Sequence, residues 1–221
     1  MSENLLIVES DNDRYFIEAL IDYLNLPDVE VGHPICNVDE FECLDGISNL
    51  ESRLTRLTFQ IDKTGIKKLG IILDANKVGI DGRVGLINEA LDAICSDVVL
   101  KAPNTLVKSA ELEVEIACHI LNISGFGELE TLLKAIKSKK SPYADCLGSW
   151  RECLRAEGRE VADKYFDTLW VNFYQRYDNC KMNESNAGRN CRGETGMKKD
   201  IWNFEHPALR DLKNFLRLFG N

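Results

Sequence analysis

The sequence lacks several features that would assign it to common classes of protein. No apolar run reaches the roughly 18 residues that a membrane span needs, and acidic residues follow directly after Val8, which is not typical of a signal peptide. We therefore expect a cytoplasmic protein with no membrane partner. There is no Gly-x-Ser-x-Gly elbow and no Gly-x-x-x-x-Gly-Lys phosphate loop. The turn after Val8 also has no glycine, which argues against a Rossmann nucleotide site.

Paired metal-ligand motifs are missing as well. None of the eight cysteines forms a Cys-x-x-Cys pair and the three histidines are isolated, so we do not expect structural zinc. Free thiols are the simplest expectation for an intracellular chain. Cys146 and Cys153 are seven residues apart and would share one helix face, where we expect them to pack in the core.

The chain is acidic overall, with 27 basic and 36 acidic residues and a net charge of −9 over 221 residues. A general DNA-coating protein is excluded, because the chain lacks the positive field that drives nonspecific binding. A polyanionic substrate that is bound through metal ions remains compatible with this charge.

Two short apolar segments predict buried strands. Residues 5–8 and 69–73 are continuously apolar, and an acid follows each of them, Glu9 or Asp74. Apolar residues at helical spacing come after each segment, which predicts strand–helix alternation. This order is typical of an α/β fold with a mostly parallel sheet flanked by helices.

The rest of the chain adds strands first and helices later. Residues 29–36 and 112–120 are predicted strands, and the second alternates apolar residues with glutamates, as a half-exposed or edge strand does. Residues 179–199 are polar and predict a loop. Pro207 suits the first turn of a final helix.

We expect two parts from these patterns. An α/β domain should cover residues 1–140, and a helical C-terminal extension packed on it should cover residues 141–221, where the pattern becomes helical.

The acids after the first two apolar segments are the main candidates for chemistry. Ligands of parallel α/β sheets bind at the carboxyl ends of the strands, where we expect Glu9 and Asp74. Two carboxylates that meet there can bind a hard cation such as Mg²⁺. The alternative is that each acid is a solvated residue at the start of a helix, favoured by the helix dipole.

The segments around these acids resemble the topoisomerase–primase (Toprim) domain. The stretch LLIVESDND (residues 5–13) resembles its first motif, which puts a glutamate after the first strand. The stretch GIILDANK (residues 70–77) resembles its Asp-x-Asp motif. With the Gly-Glu-Leu-Glu segment at residues 127–130, the chain looks similar to a bacterial Toprim-like family of uncharacterised proteins over most of its length.

The resemblance implies a Toprim-like fold and a catalytic metal site. Glu9 would be the general acid or base, or the first metal ligand, and Asp74 would be a catalytic metal ligand. Glu130 would approach the same Mg²⁺ or Mn²⁺ ion. Asn76 stands where the motif has its second Asp and would offer the metal ion a neutral amide oxygen in place of a carboxylate. The amide removes one negative charge from the site. Because a charge at about 4 Å is worth roughly 1–4 kcal/mol to a cation, we expect weak metal binding.

Several candidate residues have structural alternatives. Ser10 and Asp13 are placed to form a capping box, so Asp13 is expected to be a cap rather than a ligand. Glu130 precedes Lys134 by four residues, so it either forms an ion pair with Lys134 on the helix surface or binds the metal ion. The aromatic residues of the segment 170–177 are expected in the core rather than under nucleobases.

The function implied by the resemblance is Mg²⁺-dependent phosphodiester chemistry on nucleic acid, as a nuclease in DNA metabolism or phage defence. The alternative is a catalytically weak interaction module that acts with a partner protein such as an ATPase, which Asn76 and the net charge of −9 favour. A third possibility is a small-molecule phosphohydrolase that uses the same acids. The sequence leaves the oligomeric state open.

Overall fold

The structure, a computed structural model, describes residues 2–35, 46–180, 191 and 193–220, except for the side chains of residues 46–48, 59, 60 and 62–64. Within these residues the strands form a sheet in the order β2-β1-β3-β5-β4. The strands are β1 (Asn4–Val8), β2 (Val29–Val31), β3 (Lys68–Asp74), β4 (Val107–Lys108) and β5 (Glu115–Leu121). All neighbouring pairs are parallel except β4 and β5.

Helices connect these strands and make up most of the C-terminal part. They are α1 (Asp11–Leu24), α2 (Gly46–Thr64), α3 (Gly79–Asp92), α4 (Leu129–Ala135), α5 (Pro142–Ala156), α6 (Asp163–Phe173), α7 (Gly193–Met197) and α8 (Arg210–Arg217). A π-helical turn, Tyr174–Asp178, extends α6, and a 3-10 turn, Pro207–Leu209, leads into α8. Among the described helices, none is both long and apolar enough to cross a membrane.

The sheet separates two apolar cores. Alternate residues of β1 point to opposite faces, so Leu6 lies in one core and Leu5 in the other. The core around Leu5 is filled by α2 and α3. The core around Leu6 joins α1 to α4, α5, α6 and α8, so residues from both sides of position 140 share it. The predicted α/β fold with a mostly parallel sheet flanked by helices is therefore confirmed.

Two strand predictions need correction. The strand predicted over residues 29–36 ends at Val31, and residue 36 lies outside the described residues. The strand predicted over residues 112–120 begins only at Glu115 and lies between β3 and β4 rather than at an edge. Glu113, with a positive φ of 56°, belongs to the turn before the strand. Glu111 and Glu113 therefore precede the strand, and β5 is buried after its first residue, Glu115.

The prediction of a loop over residues 179–199 is wrong for Gly193–Met197, which form α7. Met197 of α7 is buried in the core, and the Trp202 indole donates to the carbonyl of Gly196 at 3.1 Å, so packing fixes this short helix. Residues 181–190 and 192 of the predicted loop lie outside the described residues. The final helix follows Pro207 as predicted, and Leu212 and Phe219 are buried.

The cysteine predictions also need correction. Cys146 and Cys153 are exposed, because α5 turns Ala144 and Leu147 toward the core instead. Free thiols were expected throughout, whereas a disulfide joins Cys180 to Cys191. Cys95 and Cys118 are free and buried, and Cys36 and Cys43 lie outside the described residues.

Candidate functional site

Glu9 and Asp74 lie side by side at the carboxyl edge of the sheet. Glu9 follows β1 and Asp74 ends β3, and these strands are parallel neighbours. The main-chain amide of Asp74 donates to Oε2 of Glu9 at 3.3 Å. The structure thus brings together the two acids that the sequence places at strand ends.

The start of α4 adds two more acids to this edge. The amide of Leu129 donates to Oδ1 of Asp74 at 3.0 Å. Glu128 immediately precedes α4 and Glu130 lies in its first turn. Glu128 was not singled out in the sequence, although it flanks the residue that binds Asp74.

Asn76 connects the two loops that follow β3 and β5. Its amide donates to the carbonyl of Gly127 at 2.8 Å and its carbonyl accepts from Gly127 at 3.1 Å. When the side-chain amide is oriented to satisfy its neighbours, its nitrogen donates to Glu128 and its oxygen accepts from Arg83. In this arrangement the oxygen of Asn76 faces a guanidinium.

Asp13 belongs to this site as well as to the helix cap that the sequence predicts for it. It forms the predicted capping box, since its Oδ2 accepts from the amide of Ser10 at 2.8 Å. Asp13 is nevertheless only 3% exposed, and among the described residues its Oδ1 has no hydrogen-bond partner. The signal was present, because Asp13 shares the apolar face of α1 with Phe16, Ile17 and Leu20.

We call the following five side chains the carboxylate cluster: Glu9, Asp13, Asp74, Glu128 and Glu130. Burial and repulsion from Asp13 raise the pKa of Asp74 well above its ordinary value. Burial, followed by repulsion from Glu9, raises the pKa of Asp13 to about 7. Burial is also the main cause that raises the pKa values of Glu128 and Glu130. The fold therefore holds these groups together against their mutual repulsion.

Two cations border the carboxylate cluster. Arg83 Nη2 lies 3.6 Å from Glu9 Oε2, and Lys164 Nζ lies 3.5 Å from Glu128 Oε1. Both residues were missed in the sequence, because they come from α3 and α6 and no local motif marks them. Five acids against two bases leave an excess of negative charge, so a further cation or bound protons would stabilise this edge.

The donor set of the cluster fits a hard divalent cation, because carboxylate oxygens are the ligands that Mg²⁺ and Mn²⁺ prefer. The Oδ1 of Asp13, which has no hydrogen-bond partner among the described residues, is a ligand oxygen of this kind. In the described part of the chain, however, no three His, Cys, Asp or Glu side chains are already grouped closely enough to hold a metal ion. The carboxylate oxygens are therefore suitable ligands for Mg²⁺ or Mn²⁺, but side chains of the cluster would have to rotate to surround one ion.

The remaining candidates have structural roles. Lys134 forms an ion pair with Asp167, not with Glu130. Trp170 and Tyr174 are buried and stack on each other at 5.2 Å between ring centroids, as expected for core residues. Tyr177, at the end of the same segment, is 44% exposed.

The fold and this site define a class: an α/β protein with a mostly parallel sheet whose carboxyl edge carries a partly buried cluster of acids. The chain belongs to a family that is described as protein of unknown function (DUF3226), which it matches over residues 3–221. No curated protein and no solved structure matches the chain.

Proposed function

We propose that this protein has a Toprim-like fold and carries out Mg²⁺- or Mn²⁺-dependent phosphodiester chemistry on nucleic acid, as a nuclease in DNA metabolism or phage defence. The carboxylate cluster at the carboxyl edge of the sheet carries the proposal, above all the buried Oδ1 of Asp13 that lacks a partner among the described residues. The resemblance of the segments around Glu9 and Asp74 to Toprim motifs supports nucleic acid as the substrate.

Each group has a role in this proposal. Asp74, Glu130 and Glu9 would hold the cation, which supplies the positive charge that a reacting phosphate needs. Asp13 would supply the negative charge that the site loses because Asn76 stands in place of the second Asp of the motif. Glu9 would exchange a proton with the attacking or leaving oxygen.

The neighbours of Glu9 suit such a proton transfer. The amide of Asp74 and the guanidinium of Arg83 both approach Oε2 of Glu9, at 3.3 Å and 3.6 Å. Both contacts orient the carboxylate of Glu9 at the edge of the sheet.

A second candidate function is a catalytically weak interaction module that acts with a partner such as an ATPase. Two observations favour it. Asn76 faces Arg83 rather than an open position, and no three potential ligands among the described residues are already grouped around one point.

Thermal unfolding with and without Mn²⁺ tests the metal site. Asp74→Asn keeps an oxygen that can accept from Leu129 but removes the charge. We expect Mn²⁺ to stabilise the wild type, because a ligand that binds only the folded state raises its stability by about 1.4 kcal/mol at about ten times Kd. We expect little shift for Asp74→Asn. Asp92→Asn, an exposed acid at the end of α3, is the matched control and should respond like the wild type.

Cleavage assays with DNA, RNA and a generic phosphate ester in Mn²⁺ then separate the functions. Nucleic-acid cleavage by the wild type and Asp92→Asn, but not by Asp74→Asn, is the expected result. Turnover of the ester alone would indicate a phosphohydrolase. A wild type that neither responds to Mn²⁺ nor cleaves would contradict the proposal and favour the interaction module.

A further inference from the structure

A large aromatic side chain is presented to solvent beside the carboxylate cluster. Phe126 is 58% exposed, and Val78 is 56% exposed on the neighbouring loop. Single exposed apolar residues are common on protein surfaces and need no special explanation. The position and rigidity of Phe126 distinguish it from such residues.

The backbone that carries Phe126 is fixed by a tight turn. Ile123 and Phe126 exchange main-chain hydrogen bonds, at 2.8 Å and 3.3 Å. The two residues between them, Ser124 and Gly125, have φ values of 54° and 94°. Positive φ at both central positions is typical of a type I′ turn. The side chain of Asn122 accepts from the amide of Gly125 at 3.0 Å and braces the turn.

The same turn is tied to the loop that follows Asp74. Gly127 directly follows Phe126 and pairs with Asn76 through two main-chain hydrogen bonds. The Phe126 ring approaches Gly79 so closely that a Cβ at Gly79 would lie 3.2 Å from it. Gly79 begins α3, and Arg83, one turn later, reaches Glu9. The ring therefore lies at the rim of the carboxylate cluster.

The loop that leads to Gly79 also carries a positive charge. Lys77 follows Asn76 in the loop, is exposed, and forms no ion pair with any of the residues that the structure describes. Lys134 of α4 and Lys137 and Lys139 after it differ, since each of these three is paired with an aspartate. An exposed aromatic ring and an unpaired cation on two loops that are bonded to each other are features that bind single-stranded nucleic acid.

We propose that Phe126 stacks on a nucleobase of single-stranded nucleic acid and that Lys77 contacts the adjacent phosphate. A base in a duplex has both faces covered by its neighbours, whereas an unpaired base can lie against an aromatic ring. The inference rests on the proposed function and specifies its substrate as a single strand.

Binding of a short fluorescein-labelled oligothymidylate, measured by fluorescence anisotropy in Ca²⁺, tests this inference without cleavage. We expect Phe126→Ala to raise Kd about tenfold, which corresponds to about 1.4 kcal/mol and lies within the range for loss of one stacked base. Phe126→Trp should bind like the wild type, because it retains an aromatic face. Tyr143→Ala is the matched control, since Tyr143 is 60% exposed on α5 and should have no effect.

Each outcome decides the inference. Unchanged binding by Phe126→Ala, an equal loss in Tyr143→Ala, preference for a duplex of the same sequence, or no binding by the wild type would overturn it. Phe126-dependent binding without cleavage in Mn²⁺ would support the stacking site while refuting the nuclease. If Phe126→Ala cleaved and bound the oligonucleotide as well as the wild type does, the nuclease would be supported and the stacking site would be refuted.

Discussion

The amide of Leu129 donates a hydrogen bond to Oδ1 of Asp74 at 3.0 Å, across a sequence separation of 55 residues. This contact joins the end of β3 to the start of α4, so Glu128 and Glu130 lie near Glu9 and Asp74. An amide donor stabilises the ionised form of Asp74, yet burial and the neighbouring carboxylates keep its pKa well above the ordinary value. The site thus has an excess of negative charge that protons or a cation can balance.

Asp13→Asn should stabilise the metal-free protein at neutral and higher pH. The pKa of Asp13 is about 7 in the folded state, against about 3.9 in an unfolded chain. Between these values the folded state holds more protons, so the stability from this group falls as the pH rises. Asn keeps one oxygen for Ser10 and carries no charge. We expect a higher Tm at about pH 8 and no such gain near about pH 4.

Thermal unfolding in EDTA at both pH values measures this effect, with the exposed Asp92→Asn as control. Saturating Mn²⁺ should reduce the advantage of Asp13→Asn, because the cation offsets the same repulsion. A gain in Tm that is equal at both pH values would show that the charge of Asp13 is not its cause.

Acidification should destabilise the protein through His119. This residue is buried in β5, its Nδ1 lies 2.7 Å from Oδ1 of Asn104, and its ring packs against Phe215. Burial lowers its pKa to about 4, from about 6.5 in an unfolded chain. Between these values the unfolded state binds more protons, so stability falls as the pH drops from about 6.5 to about 4.

His119→Gln should therefore show a smaller loss of stability than the wild type over this range. Denaturant unfolding at several pH values measures the difference in slope. His33 is exposed, so His33→Gln should keep the slope of the wild type. A wild-type slope in His119→Gln would indicate that other groups cause the acid sensitivity.

Two glycines form a matched pair that tests the packing of α8 on the sheet. A Cβ on Gly70 in β3 would collide with Leu6 and lie 2.8 Å from Cζ of Phe219. Gly70→Ala should lower the free energy of unfolding by about 1–3 kcal/mol. Gly85 in α3 has nothing within 4 Å of an added Cβ, so Gly85→Ala should raise it by about 0.5–1 kcal/mol. Equilibrium denaturation gives both values, and an unchanged Gly70→Ala would contradict the close packing.

Local patterns were sufficient for much of the fold. The apolar segments before Glu9 and Asp74 predicted β1 and β3, because a run of buried residues followed by an acid is visible within a few positions. The capping box of Ser10 and Asp13 was predictable for the same reason. The proximity of Glu9 and Asp74 followed from a general property of parallel sheets, whose strand ends meet at one edge.

Local sequence patterns were enough to predict β1, β3 and the two strand-end acids, whereas packing of the whole chain sets what surrounds those acids. Burial of Asp13, the approach of Glu128 and Glu130, and the counter-charges of Arg83 and Lys164 depend on segments far apart in the chain. The position of β5 inside the sheet likewise depends on pairing with both β3 and β4. Periodicity reports which residues share a face, but which segments cover that face depends on the packing of the whole chain.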